Sequence, residues 1–236
     1  MKLFGISPML KDEFYIVMEF CEDGDALSYL RKVHREESYK KWIKSILVLC
    51  IGVCDGMNYI HSKGYTHRDI TVTNILVKNR RAMLADLGLA RKIDESNENP
   101  NLGYIPPIHS IYAPPGIKEF PNLYSKGCDV YCFGIAVWEM LMLKKWARED
   151  IERGTEAVLN DLNEFPSYFR NIISRCWHEE DHFRPTFHEL LVEFQAIYEE
   201  DWSHYRKSYC DISPPSSAIQ IDYFLPSSGS SSSLDY

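Results

Sequence analysis

The sequence has 236 residues, 45% hydrophobic and 13% aromatic, which is ordinary globular composition and enough chain for one well-buried domain with tails. Its 34 acidic residues against 26 basic ones give a formal charge of -8 with no strong basic cluster, which argues against nucleic acid or an anionic membrane surface as partner. The N-terminus has no apolar stretch of secretory length, and the longest apolar run, Ile46 to Cys54, is short for a bilayer, so no membrane span is expected.

Phe14 to Phe20 is rich in β-branched and aromatic residues and ends in the acidic, Gly-containing stretch Cys21 to Asp25, so it reads as a buried strand entering a turn. Ala26 to Val33 reads as a short helix. From Tyr39 to His61 the residues Ile43, Ile46, Leu47, Cys50, Val53, Cys54, Met57 and Ile60 recur at helical spacing, and Gly64 is placed to end that helix in a left-handed conformation. Cys50/Cys54 and Cys128/Cys132 lie four apart within apolar helical patterns, unlike metal-ligand spacing. With an odd total of seven cysteines, they read as buried hydrophobes of a reducing, cytoplasmic compartment.

Ile75 to Val77 and Ala82 to Ala85 flank the basic turn Lys78 to Arg81 and read as a hairpin, with Asn74 and Asp86 at its far ends. The stretch from Asp94 to Pro115 has no periodicity and reads as a long loop of functional or disordered kind, in which Ser96 and Tyr104 are candidate phosphorylation sites. Helical periodicity returns at Ser125 to Leu143, at Tyr168 to Trp177 and at Thr186 to Tyr198. The Ser/Pro-rich end, including Ser228 to Ser233, reads as a disordered tail. His178, His182 and His188 fall at a helix end and on a solvated face, so they read as surface groups rather than ligands.

The hairpin ends carry chemistry. Phosphoryl transfer asks a protein for metal-bound phosphates, a positioned hydroxyl and a carboxylate near that hydroxyl's proton. An Asn and an Asp at two neighbouring strand ends offer the hard oxygen ligands Mg2+ prefers, and Asp69, on the same loop as Asn74, is free to act as base.

The run His67-Arg68-Asp69-Ile70-Thr71-Val72-Thr73-Asn74 resembles the catalytic loop of protein kinases, and Asp86-Leu87-Gly88 resembles their metal-binding triplet with Leu for Phe. Other segments agree in order. Ile16 to Gly24 resembles the last small-lobe strand and hinge, Ala113-Pro114 the close of the activation segment, and Asp129 to Gly134 the start of the large lobe's central helix. Cys176-Trp177 with Arg184-Pro185-Thr186-Phe187 resembles the closing signature. Together with Trp138-Glu139, this leans toward the tyrosine-kinase and tyrosine-kinase-like groups. The resemblance implies an α+β protein-kinase fold, with a remnant of the small lobe at 1–20, hinge and large lobe at 21–205 and a tail at 206–236. It implies ATP and Mg2+ as cofactors and a protein substrate. Residue by residue it makes Asp69 the base, Asn74 and Asp86 the metal ligands, and Met18 the gatekeeper. Glu19 and Cys21 become the adenine-bonding hinge, Asp25 the ribose neighbour and Leu76 the floor under adenine. It assigns His67 and Leu87 to an apolar stack between lobes, and Asp129 to anchoring the catalytic loop.

The sequence also departs from the pattern. Met1 to Ile6 resembles the fourth small-lobe strand, so the Gly-rich loop, the phosphate-binding Lys and its Glu partner have no counterpart here, and this chain by itself is expected to hold ATP weakly. Thr71 and Thr73 stand where kinases usually carry a Lys or Arg. Pro115 replaces a Glu that pairs with the later Arg, here Arg184, so the activation segment is expected to be less firmly held. Two classes follow: a phosphotransferase acting on protein Ser/Thr or Tyr hydroxyls, or an inactive pseudokinase or kinase fragment serving as a binding module.

Overall fold

The computed structural model describes residues 2–8, 14–93, 111–115, 117 and 124–206. Ser96, Tyr104, most of the long loop and the Ser/Pro-rich tail lie outside the described residues.

A two-stranded antiparallel sheet of β1 (Leu3–Pro8) and β2 (Phe14–Met18) leads into a mostly helical body. The strand expected to be buried is not: Tyr15, Ile16, Val17 and Met18 are 56, 63, 44 and 46% exposed. An apolar run marks what a strand would bury, whereas burial needs a covering layer, and among the described residues β2 pairs with β1 alone.

The body is built on two helices. The first, α2 (Tyr39–Ser62), follows α1 (Ala26–Glu36) and buries the apolar set read from its periodicity, from Ile43 to Met57, with Ile60 half-buried. By length and composition α2 also suits a membrane crossing. Here it is a core helix, packed against α1, β5 (Arg81–Leu84) and the terminal helix α7 (Phe187–Arg206). Lys63 caps it and Gly64, at φ 77°, turns the chain out of the helix as the sequence implied. The second, α3 (Lys126–Met142), is buried from Cys128 to Leu141 except for half-buried Tyr131. A helix apolar all round belongs in a core. The two charged residues in that stretch, Asp129 and Glu139, are both 0% exposed, so each must be held by hydrogen bonds.

Between α2 and α3, the described residues form two two-stranded sheets. β4 (Ile75–Lys78) and β5 form the expected hairpin, and its turn residues Asn79 and Arg80, at φ 51° and 63°, have the left-handed pair a two-residue turn requires. β3 (Tyr65–Thr66) pairs with β6 (Arg91–Lys92), a ladder too short to read from sequence. After α3 come α4 (Arg148–Arg153) and α5 (Thr155–Asn160), two six-residue helices with no sequence expectation, then α6 (Ser167–Cys176) where periodicity placed it and α7, which starts where expected and runs past the expected end at Tyr198.

The α3–α6 contact is tight. A Cβ added at Gly134 would lie 2.7 Å from Trp177 Nε1 and 2.9 Å from Cys176 Cβ. Both are buried, so the neighbours have little room to yield. Gly134→Ala is therefore expected to lower unfolding stability by about 1–3 kcal/mol in urea, and an unchanged midpoint would show this contact to be soft.

Candidate active site

The local geometry follows from two ladders. The outer one, β3–β6, joins Thr66 to Arg91, and the inner one, β4–β5, joins Ile75 to Leu84 and is extended by the Ala85 N–H donating to the Asn74 carbonyl at 2.9 Å. The loop 67–74 and the turn 85–90 are thus each clamped at both ends, and Asp69, Asn74 and Asp86 lie between the clamps. Within the loop Ile70 and Val72 are 1 and 0% exposed. Thr71 between them is buried as well, at 5% exposed.

One carboxylate fixes the loop from below. Asp129 Oδ2 accepts from the His67 N–H and from His61 Nε2, each at 2.9 Å, and its Oδ1 accepts from the Arg68 N–H at 2.9 Å and the Tyr124 hydroxyl at 2.8 Å. Arg68 sits at φ 71°, a left-handed conformation costing a non-glycine residue about 1–2 kcal/mol, and this bond helps to hold it there. Its guanidinium lies 5.2 Å from the Tyr124 ring centre.

Asn74 Nδ2 donates to the Asp69 carbonyl at 2.9 Å and to Asp69 Oδ2 at 2.7 Å, while the Asp69 N–H donates to His67 Nδ1 at 3.3 Å. One amide thereby orients the Asp69 carboxylate. Asp86, at φ 58°, is exposed, and its Oδ1 accepts from the Gly88 N–H at 3.1 Å. The oxygen of the Asn74 amide and the exposed Asp86 carboxylate are hard oxygen donors of the kind Mg2+ takes, one or two from a protein with phosphate and water in its other positions.

His67 is fully buried, and burial pushes its imidazole pKa down, so it is neutral at pH 7. Leu87, expected in an apolar stack, is 50% exposed. Nothing among the described residues covers it, for the same reason that β2 is bare.

The residues expected to form the hinge make a second group. The Glu19 N–H donates to the Lys2 carbonyl at 2.8 Å, and its carboxylate accepts from Lys78 Nζ at 2.8 Å, which holds the Glu19 carboxyl below its usual pKa. The Cys21 carbonyl accepts from Gly24 at 3.2 Å, the Gly24 carbonyl accepts from Val77 at 2.8 Å, and Asp25 bridges to Leu76. The chain after β2 is therefore laced to β4, which brings Glu19, Cys21, Asp25 and Leu76 together along one edge. Met18 is half-exposed at the end of β2, outside this lacing. Asp25 has a structural duty as well, because its two oxygens accept from the Ser28 N–H at 2.8 Å and the Ser28 hydroxyl at 2.9 Å and so cap α1.

Arg184 compensates for Pro115 without a carboxylate. Its guanidinium donates to the carbonyls of His178 at 2.8 Å and of Gly127 and Glu179 at 3.0 Å, and lies over the Tyr131 ring. Thr71 and Thr73, in place of a cation, bond to each other through their hydroxyls at 2.8 Å. Sequence reasoning missed Tyr112 and Tyr124 altogether and used Glu139 only as part of a motif. A lone Glu inside an apolar helix was the signal available.

The sequence matches the family described as protein tyrosine and serine/threonine kinase over residues 1–194. It is 32% identical to human tyrosine-protein kinase TXK over 206 residues, covering 84% of this chain and 38% of that protein. It is 30% identical to rat tyrosine-protein kinase Fer over 217 residues, covering 83% and 24%. To the tyrosine-protein kinase transforming protein ros of UR2 avian sarcoma virus the identity is 28% over 214 residues, covering 84% and 52%. The chain thus spans from about a quarter to half the length of these relatives. The match embraces both ladders, the Asp129-anchored loop and the first two turns of α7, and the chain belongs to the protein tyrosine and serine/threonine kinase family.

Proposed function

We propose that the protein transfers the terminal phosphoryl group of ATP to a hydroxyl of a protein substrate in the cytoplasm. The observation that carries this reading is the Asn74–Asp69 pair. By spending its N–H donors on Asp69, Asn74 orients that carboxylate and leaves its own oxygen for a metal. Mg2+, when bound by Asn74 and Asp86, supplies charge neutralisation at the phosphates. The acceptor oxygen forms a bond to the γ-phosphorus, the bond from that phosphorus to the bridging oxygen breaks to release ADP, and the hydroxyl proton passes to Asp69. A positioned base of this kind contributes about 10²–10⁴ in rate.

Adenine is assigned to the edge where Glu19 and Cys21 offer backbone groups, with Leu76 beneath it and Asp25 toward the ribose. The names of the relatives make Tyr the first acceptor to test, and a name such as cytoplasmic tyrosine-protein kinase BMX, from mouse, supports the compartment. Cys21, Cys50, Cys54, Cys128, Cys132 and Cys176, all buried and unbridged, fit a reducing environment.

Two variants test the reading. Asp69→Asn should remove at least ~10²-fold of the turnover on Tyr-containing peptide while ATP affinity stays within about twofold, since the base acts on the hydroxyl and not on the nucleotide. Equal loss of binding and turnover in a folded variant would move the base elsewhere. Asp86→Ala should abolish the gain in ATP affinity that Mg2+ produces, as read by titrating ATP with and without metal. A metal effect of unchanged size would show that Asp86 is not a ligand.

A further inference from the structure

The apolar surface that the body leaves uncovered is gathered at its start. Among the described residues, eight of the thirteen exposed large hydrophobic side chains lie between Leu3 and Phe20, so the β1–β2 sheet is where an occupant would bury most. Its two edges are not alike. β1 carries Pro8, which has no N–H to donate, and its register slips between Leu3 and Gly5, and both features discourage a further strand. β2 has no Pro, no Gly, no charged residue and no such slip, and its other edge is unpaired among the described residues. Every second N–H and C=O of β2 therefore faces outward, which is a template for one more strand.

The Ser/Pro-rich end of the sequence is not uniform. It contains the run Ile219-Gln220-Ile221-Asp222-Tyr223-Phe224-Leu225, set off by Pro214-Pro215 before it and by Pro226 after it. Ile219, Ile221, Tyr223 and Leu225 recur at every second place, and a β-branched and aromatic run of this length between prolines carries the pattern of a strand.

The run is within reach of β2. The rings of Phe187 and His61 are 5.1 Å apart, and Lys44 Nζ lies 5.1 Å from the centre of the Tyr198 ring, so α7 runs antiparallel to α2 and ends level with its start. The hairpin lies against the middle of α2, where a Cβ at Gly52 would be 3.2 Å from Ala82, and Lys78 of that hairpin holds Glu19, just after β2, at 2.8 Å. About 20 Å along α2, and a packing distance of about 10 Å on each side of it, separate Arg206 from Lys78, roughly 30 Å in all. The twelve residues 207–218 span on the order of 40 Å when extended, and Pro214-Pro215 favours that form.

We propose that residues 219–225 add to the free edge of β2 as a third, antiparallel strand, so that the chain covers part of its own exposed sheet. Arriving beside Glu19, the segment meets β2 at Met18 and runs back toward Phe14, which is the antiparallel sense. Pro226 has no N–H for the ladder and ends it. The tether sets an effective concentration on the order of millimolar, which favours this segment over the β2 edge of a second copy at micromolar protein. The pairing holds whether or not the chain transfers phosphate.

Amide hydrogen exchange on the full chain at low micromolar concentration tests this, each rate divided by its intrinsic value. Amides of 219–225 and the outward-facing amides of β2 should exchange at least about tenfold more slowly than their intrinsic rates. Ile221→Pro combined with Asp222→Pro deletes two successive N–H groups, one of which faces β2 in any register, and lies in the tail, where it cannot unfold the body. It should return both sets of amides to intrinsic rates, whereas Ser232→Pro, beyond the run, should change neither. Intrinsic rates at 219–225 in the unaltered chain would overturn the proposal. Protection of β2 that survives the paired prolines would also overturn it, by giving the edge to another occupant. Protection that grows with protein concentration would do so as well, by giving the edge to a second copy.

Discussion

A buried carboxylate holding four donors is the constraint on which the site depends. Asp129 has no exposed surface, and an ion so placed is tolerable only when its lone pairs are filled. It fills them from four sources: the backbone of His67, the backbone of Arg68, the ring of His61 at the end of α2, and the hydroxyl of Tyr124 just before α3. The two long core helices and the start of the catalytic loop are thereby locked in one register. The left-handed Arg68, the direction in which Asp69 leaves the loop, and the reach of Asn74 back to Asp69 all follow from that point.

The second constraint is the pair of ladders. Because β3–β6 and β4–β5 close the ends of both loops, the chemistry-bearing residues need little support of their own, and Asp86 can be exposed at a left-handed φ without its turn drifting. β4 serves both halves of the site. Its first residue follows Asn74, and its later residues bond to Gly24 and Glu19, so the proposed metal ligand and the proposed nucleotide edge share one strand. The far end of the activation segment is kept by other means. Arg184 is satisfied by three carbonyls and an aromatic ring where the family pattern has a carboxylate and this chain has Pro115, and Glu139 takes up Tyr112.

Much of this was legible in the sequence where a local rule governs. Helical spacing gave α2, α3 and α6 to within a few residues, and the start of α7 but not its end, which lies at Arg206 beyond the expected Tyr198, and the hairpin showed in its alternation and its turn. The spacing of Asp69, Asn74 and Asp86 marked the candidate site, and the Asp129 motif pointed to the loop's anchor, which the bonds from Asp129 to His67 and Arg68 bear out. The remainder depends on partners that no local pattern names. Arg184 bonds to carbonyls, which every residue has. Tyr112 and Glu139 are far apart in sequence, and α4 and α5 are too short for a period to emerge. The exposure of Tyr15 to Met18 and of Leu87 has the same origin, since residue type says what is apolar and only tertiary structure says what is covered.

The most direct test of the account is the unfolding free energy of Asp129→Asn beside the unaltered chain, measured in urea. Asn matches Asp in size, so no cavity is made, but its amide N–H₂ faces donors where a carboxylate accepted. A loss of about 3 kcal/mol or more, with faster hydrogen exchange at His67 and Arg68, is the result expected of a buried anchor with four donors. A loss below about 1 kcal/mol with His67 and Arg68 still protected would mean that the loop is held by its two ladders alone, and would contradict the central place of Asp129 in holding the site.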